Sequence, residues 1–381
     1  MASATQVHAL VLHGAQDLRL ESRPSPSPTT TEVAIQIKAT GLCGSDLHYY
    51  THGRNGAFIL QSPLVLGHEA AGLITSSSIP TLPTGTRVAL EVGLPCRTCS
   101  LCTRGRYNLC SKLRFKSSAK TFPHADGTLQ STISHPADMV HVLPPNVTFE
   151  QGALIEPLAV SLHAINRSQQ NDLPFAGSTA LVLGAGAVGM LTAAALSVSG
   201  VSQILVADID APRLKIVEGL GSGKFGIKTF LLPRKPPGKD IDATLASAQE
   251  LAKEVWDAAG LEGFDRVFEC TGVPSCVQLG IYAASAGGKL VLVGMGTPVQ
   301  TLPLGAAALR EVDIVGVFRY ANCYPAAIRL FASGKLDGVA EELVTHRVPL
   351  EEGEKAFRLA ANKARPGEDE GRVVVKVVVT N

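Results

Sequence analysis

The sequence predicts an α/β protein of two domains, one β-rich and turn-rich, the other a doubly wound parallel sheet. Three observations carry this. The chain has 381 residues, more than one hydrophobic core usually serves. Up to residue 150, short runs alternate apolar and polar side chains between proline and glycine turns, as strands with one buried face do. From residue 179 the pattern changes to continuous apolar runs separated by helical segments, as parallel strands buried on both faces require.

In the first region Val7–His13 and Val33–Lys38 alternate, with the loop Pro24–Pro28 between them. The second strand leads directly into Gly41-Leu-Cys43, so Cys43 leaves a strand end where a side chain is held rigidly. Arg87–Leu90 is a further expected strand, and the prolines of Ile133–Pro145 favour irregular backbone. In the second region Thr179–Leu183 enters Gly184-Ala-Gly-Ala-Val-Gly189. A small-residue helix follows to Ser199, then the strand Gln203–Asp208. Strands are expected at Arg266–Glu269, Lys289–Val293 and Asp313–Val317, with a helix over Thr244–Ala259 and a polar, proline-rich loop at Leu232–Lys239. After Val317 the chain is expected to return to the first domain and end in the strand Arg372–Val379. The expected domains are 1–159 with 316–381, and 160–315. No internal repeat is found.

Composition narrows the function. Hydrophobic residues make up 45% and charged residues 18%, as in soluble globular chains. Lys plus Arg number 34 and Asp plus Glu 33, so net charge gives no reason to expect nucleic acid or an anionic membrane. No apolar run reaches the ~18 residues of a membrane span. Met1–His8 lacks the basic and apolar regions of a signal peptide, and the cytosol is the default expectation. Of eight cysteines, Cys96, Cys99, Cys102 and Cys110 cluster while Cys43, Cys270, Cys276 and Cys323 are dispersed; tight clustering favours metal over disulfides.

The glycine turn has the neighbours of a dinucleotide site. Gly184 permits the tight turn, Gly186 lets the backbone approach a pyrophosphate, and Gly189 lets helix and strand pack closely. The helix N-terminus then presents free N–H groups to phosphate. Asp208, nineteen residues after Gly189, ends the second strand, where an acid accepts from the adenosine ribose and repels a 2′-phosphate. NAD is therefore expected, while Arg213 keeps NADP open. The bland alternative is a glycine turn that binds nothing.

The four-cysteine segment has the spacing Cys96-x2-Cys99-x2-Cys102-x7-Cys110. Four thiolates suit tetrahedral zinc with no open position, hence a structural ion. The rival is an iron–sulfur cluster. A second candidate centre combines Cys43 with the adjacent pair His68-Glu69, and Leu154-Ile-Glu-Pro157 offers Glu156. Taken singly these have bland readings, a buried cysteine and a solvated turn. Together, with glycines at 41, 44, 67 and 72, they match a catalytic zinc site with room for substrate. A metal there would acidify a substrate hydroxyl. Ser45 and His48 would then form a proton exit path, since imidazole titrates near working pH.

These residues resemble the zinc-containing medium-chain dehydrogenases, and within them the polyol group of sorbitol, xylitol and L-arabinitol dehydrogenases. The carriers are Gly41–Tyr49, Gly67–Gly72, the four-cysteine lobe, Asp126–Leu129, Ile155–Pro157, Gly184–Gly189 and Phe318–Tyr320. The resemblance implies a GroES-like catalytic domain plus a Rossmann domain, NAD, one catalytic and one structural zinc per chain, and a homotetramer. It implies Cys43, His68 and Glu69 as catalytic zinc ligands, with Glu156 reaching the metal directly or through water. It places Tyr49, Phe115, Glu156, Arg319 and Tyr320 along the polyol pocket. Around the cofactor it places Gly184, Gly186, Val188, Gly189, Asp208, Arg213, Thr271, Val293, Phe318 and Arg319.

Three features depart from the family pattern. Phe115–Asp126 is longer than the usual loop, which borders the substrate and leaves the identity of the polyol open. Ser76–Thr84 is short and lacks a glycine. The family's Gly-Asp-Arg-Val turn is Gly85-Thr-Arg-Val88 here. The expected function is oxidation of a secondary hydroxyl of a sugar alcohol with hydride transfer to NAD. The alternatives are a dehydrogenase or reductase of another secondary alcohol or pathway metabolite, a non-catalytic member of the scaffold, and a zinc-free enone reductase. Retention of every ligand and glycine argues against the last two.

Overall fold

The computed structural model describes residues 6–25, 27–169, 174–234, 238–369 and 371–381. The start of Met1–His8, Pro26 of the first proline loop and residues 235–237 of the second lie outside the described residues. Contacts divide the chain into two units: residues 1–156, 324–335 and 344–381, and residues 157–323 with 336–343. The return expected at residue 316 is thus placed at Tyr324, and Leu336–Leu343 groups with the second unit.

The first unit is built on a seven-stranded sheet. Its spine is Glu32–Gly41, where Val33, Ile35 and Ile37 are buried and Gln36 and Lys38 are not. This is the alternation read in the sequence, and it fixes register because a one-residue slip would expose the apolar set. Glu69–Ser77 and Thr132–Pro136 both pair antiparallel with this spine. Lys376–Thr380 also pairs antiparallel with it and parallel with Val344–Pro349. A smaller sheet joins Asp17–Pro24, Gln6–Gly14 and Leu64–Val65.

Two expectations are corrected here. Asp17–Pro24 is a strand that the sequence reading missed, none of its side chains being buried. The last strand begins at Lys376, not Arg372. Ahead of it the backbone is drawn into local bonds, with Arg372 N donating to Asp369 O at 2.9 Å and Val375 N to Thr345 Oγ1 at 3.1 Å.

The second unit holds a six-stranded sheet, parallel throughout, in the order Lys228–Leu231, Gln203–Asp208, Thr179–Leu183, Phe264–Glu269, Ala284–Leu292, Asp313–Gly316. In sequence numbering this is 3-2-1-4-5-6, the doubly wound order whose reversal point receives a dinucleotide. Its core joins Leu181, Leu183, Leu205 and Val267 to Ala252 and Val255 of the helix Ile241–Ala259. Asp240 caps that helix, its carboxylate accepting from Ala243 N at 2.8 Å. No helix among the described residues is long and apolar enough to cross a membrane.

Candidate active site and metal centres

Strand pairing assembles the first site. Gly41 lies opposite Glu69 in the ladder, which sets Cys43, two residues on, beside His68 and Glu69. A Cβ on Gly41 would lie 2.2 Å from Glu69 Oε2, so only glycine lets the carboxylate lie over the strand. Gly67 has φ +90°, and this left-handed turn aims the His68-Glu69 pair. Cys43 is the N-cap of the helix Gly44–His52. One ligand atom from each of Cys43, His68 and Glu69 lies within 4.8 Å of the others, with His68 and Glu69 buried.

Three residues that the sequence reading did not single out hold this group. Asp46, fully buried, has Oδ1 3.2 Å from His68 Nδ1, and its Oδ2 accepts from Cys43 N at 3.2 Å. Ser117 Oγ donates to Asp46 Oδ1 at 2.6 Å. Lys376 Nζ donates to both oxygens of Glu69, at 2.9 and 2.7 Å, and to Leu42 O at 2.9 Å.

The electrostatics follow. Burial works against ionisation of Asp46, but the His68 charge and the hydrogen bonds from His68, Ser117 and Cys43 N–H together hold its carboxyl below the ordinary range. Burial likewise works against the Lys376 ammonium, yet Glu69 and Cys43 outweigh it and raise its pKa. A buried Lys–Glu pair is tolerated because each carries its counter-charge.

The donors fit zinc. They are a thiol, an imidazole nitrogen and a carboxylate. Nδ1 of His68 faces Asp46, which leaves Nε2, 3.4 Å from Ser45 Oγ, for a metal. A carboxylate behind a histidine ligand is how zinc sites fix the ring. Glu156, also buried, lies outside the group of three, and its charge acts on Lys376.

The remaining expected residues of this unit are placed as follows. His48 is exposed on its helix, and the burial of part of its ring, followed by His52, keeps its pKa below the usual histidine value. The Phe115 ring lies 5.4 Å from the His68 ring at 60°. Tyr49 is 1% exposed, and its hydroxyl accepts from Ala119 N at 2.9 Å. Arg319 and Tyr320 belong to the second unit; Arg319 has φ +53° and its guanidinium lies 4.8 Å from the Phe318 ring centroid, while Tyr320 is buried.

Cys96, Cys99, Cys102 and Cys110 form a second group with ligand atoms within 4.8 Å. Cys99 and Cys102 Sγ are 3.5 Å apart. Backbone N–H groups of Thr98 and Cys99 aim at the Cys96 sulfur and pull its pKa down to about 5, favouring the thiolate that metals bind. The lobe is tied down by Arg97, bidentate to Asp138 at 2.6 and 2.7 Å. Tyr107 OH donates to Glu91 Oε1 at 2.5 Å, and Glu91 Oε2 is 2.7 Å from His141 Nε2.

In the second unit the glycines show why no larger residue serves. A Cβ on Gly189 would lie 1.9 Å from Gly184 O, and one on Gly184 2.8 Å from Thr271 Cγ2. Gly186, the N-cap of Ala187–Val198, has no protein atom within 4 Å of an added Cβ, so open space faces this backbone, as a pyrophosphate needs. Asp208 Oδ2 accepts from Ala185 N at 2.6 Å and Oδ1 from Asp210 N at 2.9 Å, which pins the carboxylate to the turn. Arg213 follows in the next helix, 3.8 Å from Asp210. Val188 O accepts from Ser161 and Thr192 hydroxyls. Glu269, buried and unremarked in the sequence, accepts from Thr271 N at 2.7 Å and from Gly272 N. Val293 N donates to Glu269 O at 2.9 Å. The Gly184 turn, Asp208, Glu269 and Val293 therefore lie at the carboxyl ends of four neighbouring parallel strands.

Comparisons with known proteins agree with this construction. The family model described as Alcohol dehydrogenase GroES-like domain matches residues 29–145, and that described as Zinc-binding dehydrogenase matches residues 187–333. The chain is 42% identical to a sorbitol dehydrogenase of Bos taurus over 351 residues, 92% of this chain and 91% of that protein. It is 41% identical to that of Homo sapiens over 361 residues, 94% of each. Among solved structures, an L-idonate 5-dehydrogenase of Escherichia coli superimposes with a TM-score of 0.83 at 27% identity, covering 99% of both chains. Identity at this level, spanning both units and both cysteine-bearing groups, establishes that the chain belongs to the medium-chain, zinc-binding alcohol dehydrogenase family.

Proposed function

We propose that this dehydrogenase oxidises a secondary hydroxyl of a sugar alcohol, of the sorbitol, xylitol or L-arabinitol kind, to the ketose with NAD as acceptor. The observation that carries it is the Cys43, His68 and Glu69 group within 4.8 Å, in a chain 42% identical to a sorbitol dehydrogenase. When bound, zinc supplies Lewis acidity to the substrate hydroxyl and nicotinamide accepts the hydride. The chain's own residues do the rest. Cys43, His68 and Glu69 hold the metal, Glu156 stands near, and Asp46 fixes the His68 ring. Ser45, 3.4 Å from His68 Nε2, takes the substrate proton and passes it to solvent-facing His48, whose lowered pKa keeps it able to accept. The family pattern assigns Tyr49 and Phe115 of the first unit, and Arg319 and Tyr320 of the second, to substrate binding. Gly184–Gly189 receives the pyrophosphate, Asp208 the ribose, and Arg213, Thr271, Val293, Phe318 and Arg319 flank the cofactor. The cysteine lobe holds a second, structural zinc. A homotetramer follows the family pattern, and the cytosol remains the expected site, none of the described cysteines being in a disulfide.

A panel of polyols and simple secondary alcohols, each offered with NAD and with NADP, tests this reading, together with elemental analysis. The expected result is polyol turnover with NAD and two zincs per chain. Activity confined to simple alcohols, or a single zinc, overturns it. Replacing Asp208 by Ser should relax the preference for NAD, and unchanged NADP use would remove the ribose argument.

A further inference from the structure

We propose that Ser117 is a positioning residue of the metal site, through which the long Phe115–Asp126 loop holds His68. The proposal rests on the reading that Cys43, His68 and Glu69 bind zinc. Ser117 is buried, 4% exposed, and its hydroxyl both accepts and donates. Oγ accepts from Gly67 N at 3.0 Å and donates to Asp46 Oδ1 at 2.6 Å. With Gly67 N–H occupying a lone pair, the hydroxyl proton is directed at the carboxylate.

Asp46 in turn touches every segment that bears a ligand. It takes Cys43 N on Oδ2, while Gly67 N and His68 Nδ1 each lie 3.2 Å from Oδ1. Asp46 is therefore the one residue between the Ser117 hydroxyl and the imidazole. The same strand of chain also reaches His68 directly. Phe115, two residues earlier at the end of the short strand Arg114–Phe115, sets its ring 5.4 Å from the imidazole ring.

The base of the loop is itself fastened. Ser117 N donates to Ala125 O at 2.8 Å, and Ala119 N donates to Tyr49 OH at 2.9 Å. The segment whose length departs from the family pattern is thus the segment that orients a metal ligand. A charge-assisted hydrogen bond from a buried hydroxyl is directional. Its loss leaves Asp46, and with it the ring, less constrained.

Metal affinity reads this without reference to turnover. Ser117→Ala, Ser117→Gly and Ser118→Ala are made in the full chain, and zinc is titrated against a chromophoric chelator. The catalytic ion is identified as the one lost in Cys43→Ser. Cobalt(II) loaded at that site reports ligand geometry by its visible absorption. Ser117→Ala is expected to bind the catalytic ion about tenfold more weakly, the range for partners that orient a ligand, with a shifted cobalt spectrum and an unaltered cysteine-lobe ion. Ser117→Gly, which also removes the hydroxyl but suits the left-handed backbone there (φ +61°), should weaken the ion alike. Ser118→Ala, whose hydroxyl serves Lys120 N at 3.3 Å, should stay close to the parent. Parent-like affinity and spectrum in Ser117→Ala and Ser117→Gly overturn the proposal, as does equal weakening in Ser118→Ala. Failure of the zinc reading looks different: the parent protein would carry one zinc per chain and Cys43→Ser would lose none.

Discussion

The two cysteine-bearing groups of the first unit are constructed in opposite ways. The lobe draws all four donors from Cys96–Cys110, strung on turns and one short helix, Ser100–Thr103, and three of its thiols are partly exposed. The Cys43, His68 and Glu69 group sits at the ends of two paired strands, Cys43 two residues past one and Glu69 opening the other, with His68 and Glu69 buried. It is supported by Asp46, Ser117 and Lys376, which come from a helix, a loop and the final strand. A centre hung on local turns depends on its ion for order. A centre set on paired strands is shaped by the sheet and needs its counter-charges in place before any ion arrives.

The contrast can be attacked from both sides. Cys43→Ser should lower turnover by at least about a thousandfold while elemental analysis still finds the lobe's zinc; loss of both ions would mean the two centres are not independent. Lys376→Met leaves Glu69 buried without its cation, so the metal-free protein should lose about 3–5 kcal/mol by urea unfolding. The loss should shrink when zinc occupies the site, and equal losses with and without metal would detach Lys376 from it.

Acid should loosen the lobe's anchorage first. His135 is fully buried, its Nε2 3.1 Å from Glu91 O and 3.2 Å from Met139 O. Burial, with Lys116 nearby, pushes its pKa down to about 3. Below about pH 6.5 the unfolded chain takes up a proton that the folded chain refuses. Stability therefore falls as pH drops through that value, by about 2 kcal/mol at pH 5, and the loss is complete near pH 3. His135→Gln should flatten this limb of a pH–stability curve, and an unchanged slope would clear His135. The smallest effect is local. Stripping metal should speed tryptic cleavage at Arg97, Arg104 and Arg106 about tenfold while the far-ultraviolet dichroism of the sheets persists.

Much of this was legible in the sequence, for a physical reason. The rhythm of Val33, Ile35 and Ile37, the run Thr179–Leu183 and the glycines at 184, 186 and 189 are local signals, and each marks a backbone or burial requirement met within a few residues. The ligand pair His68-Glu69 and the four cysteines carry their chemistry in their own side chains. The supports do not. Asp46 looks like a helix-capping acid, Ser117 like any loop serine, Lys376 like a polar break in a valine run, and Glu269 like a charged strand end. Only tertiary placement gives them partners. Asp17–Pro24 escaped because none of its side chains is buried, and the start of the last strand was misplaced because the apolar run begins at Val373 while the ladder begins at Lys376.

One consequence concerns the order in which the protein comes into being. Glu69 and Lys376 are 307 residues apart, and the whole parallel sheet of the second unit is encoded between them. A nascent chain leaving the ribosome displays Cys43, His68 and Glu69 early, with a carboxylate that has no ammonium beneath it. The spine strand Glu32–Gly41 also waits for Lys376–Thr380 to complete its pairing at Gly41. The metal pocket is thus closed by residues made after the second unit's sheet, and synthesis that stalls short of Lys376 yields a donor set without its floor.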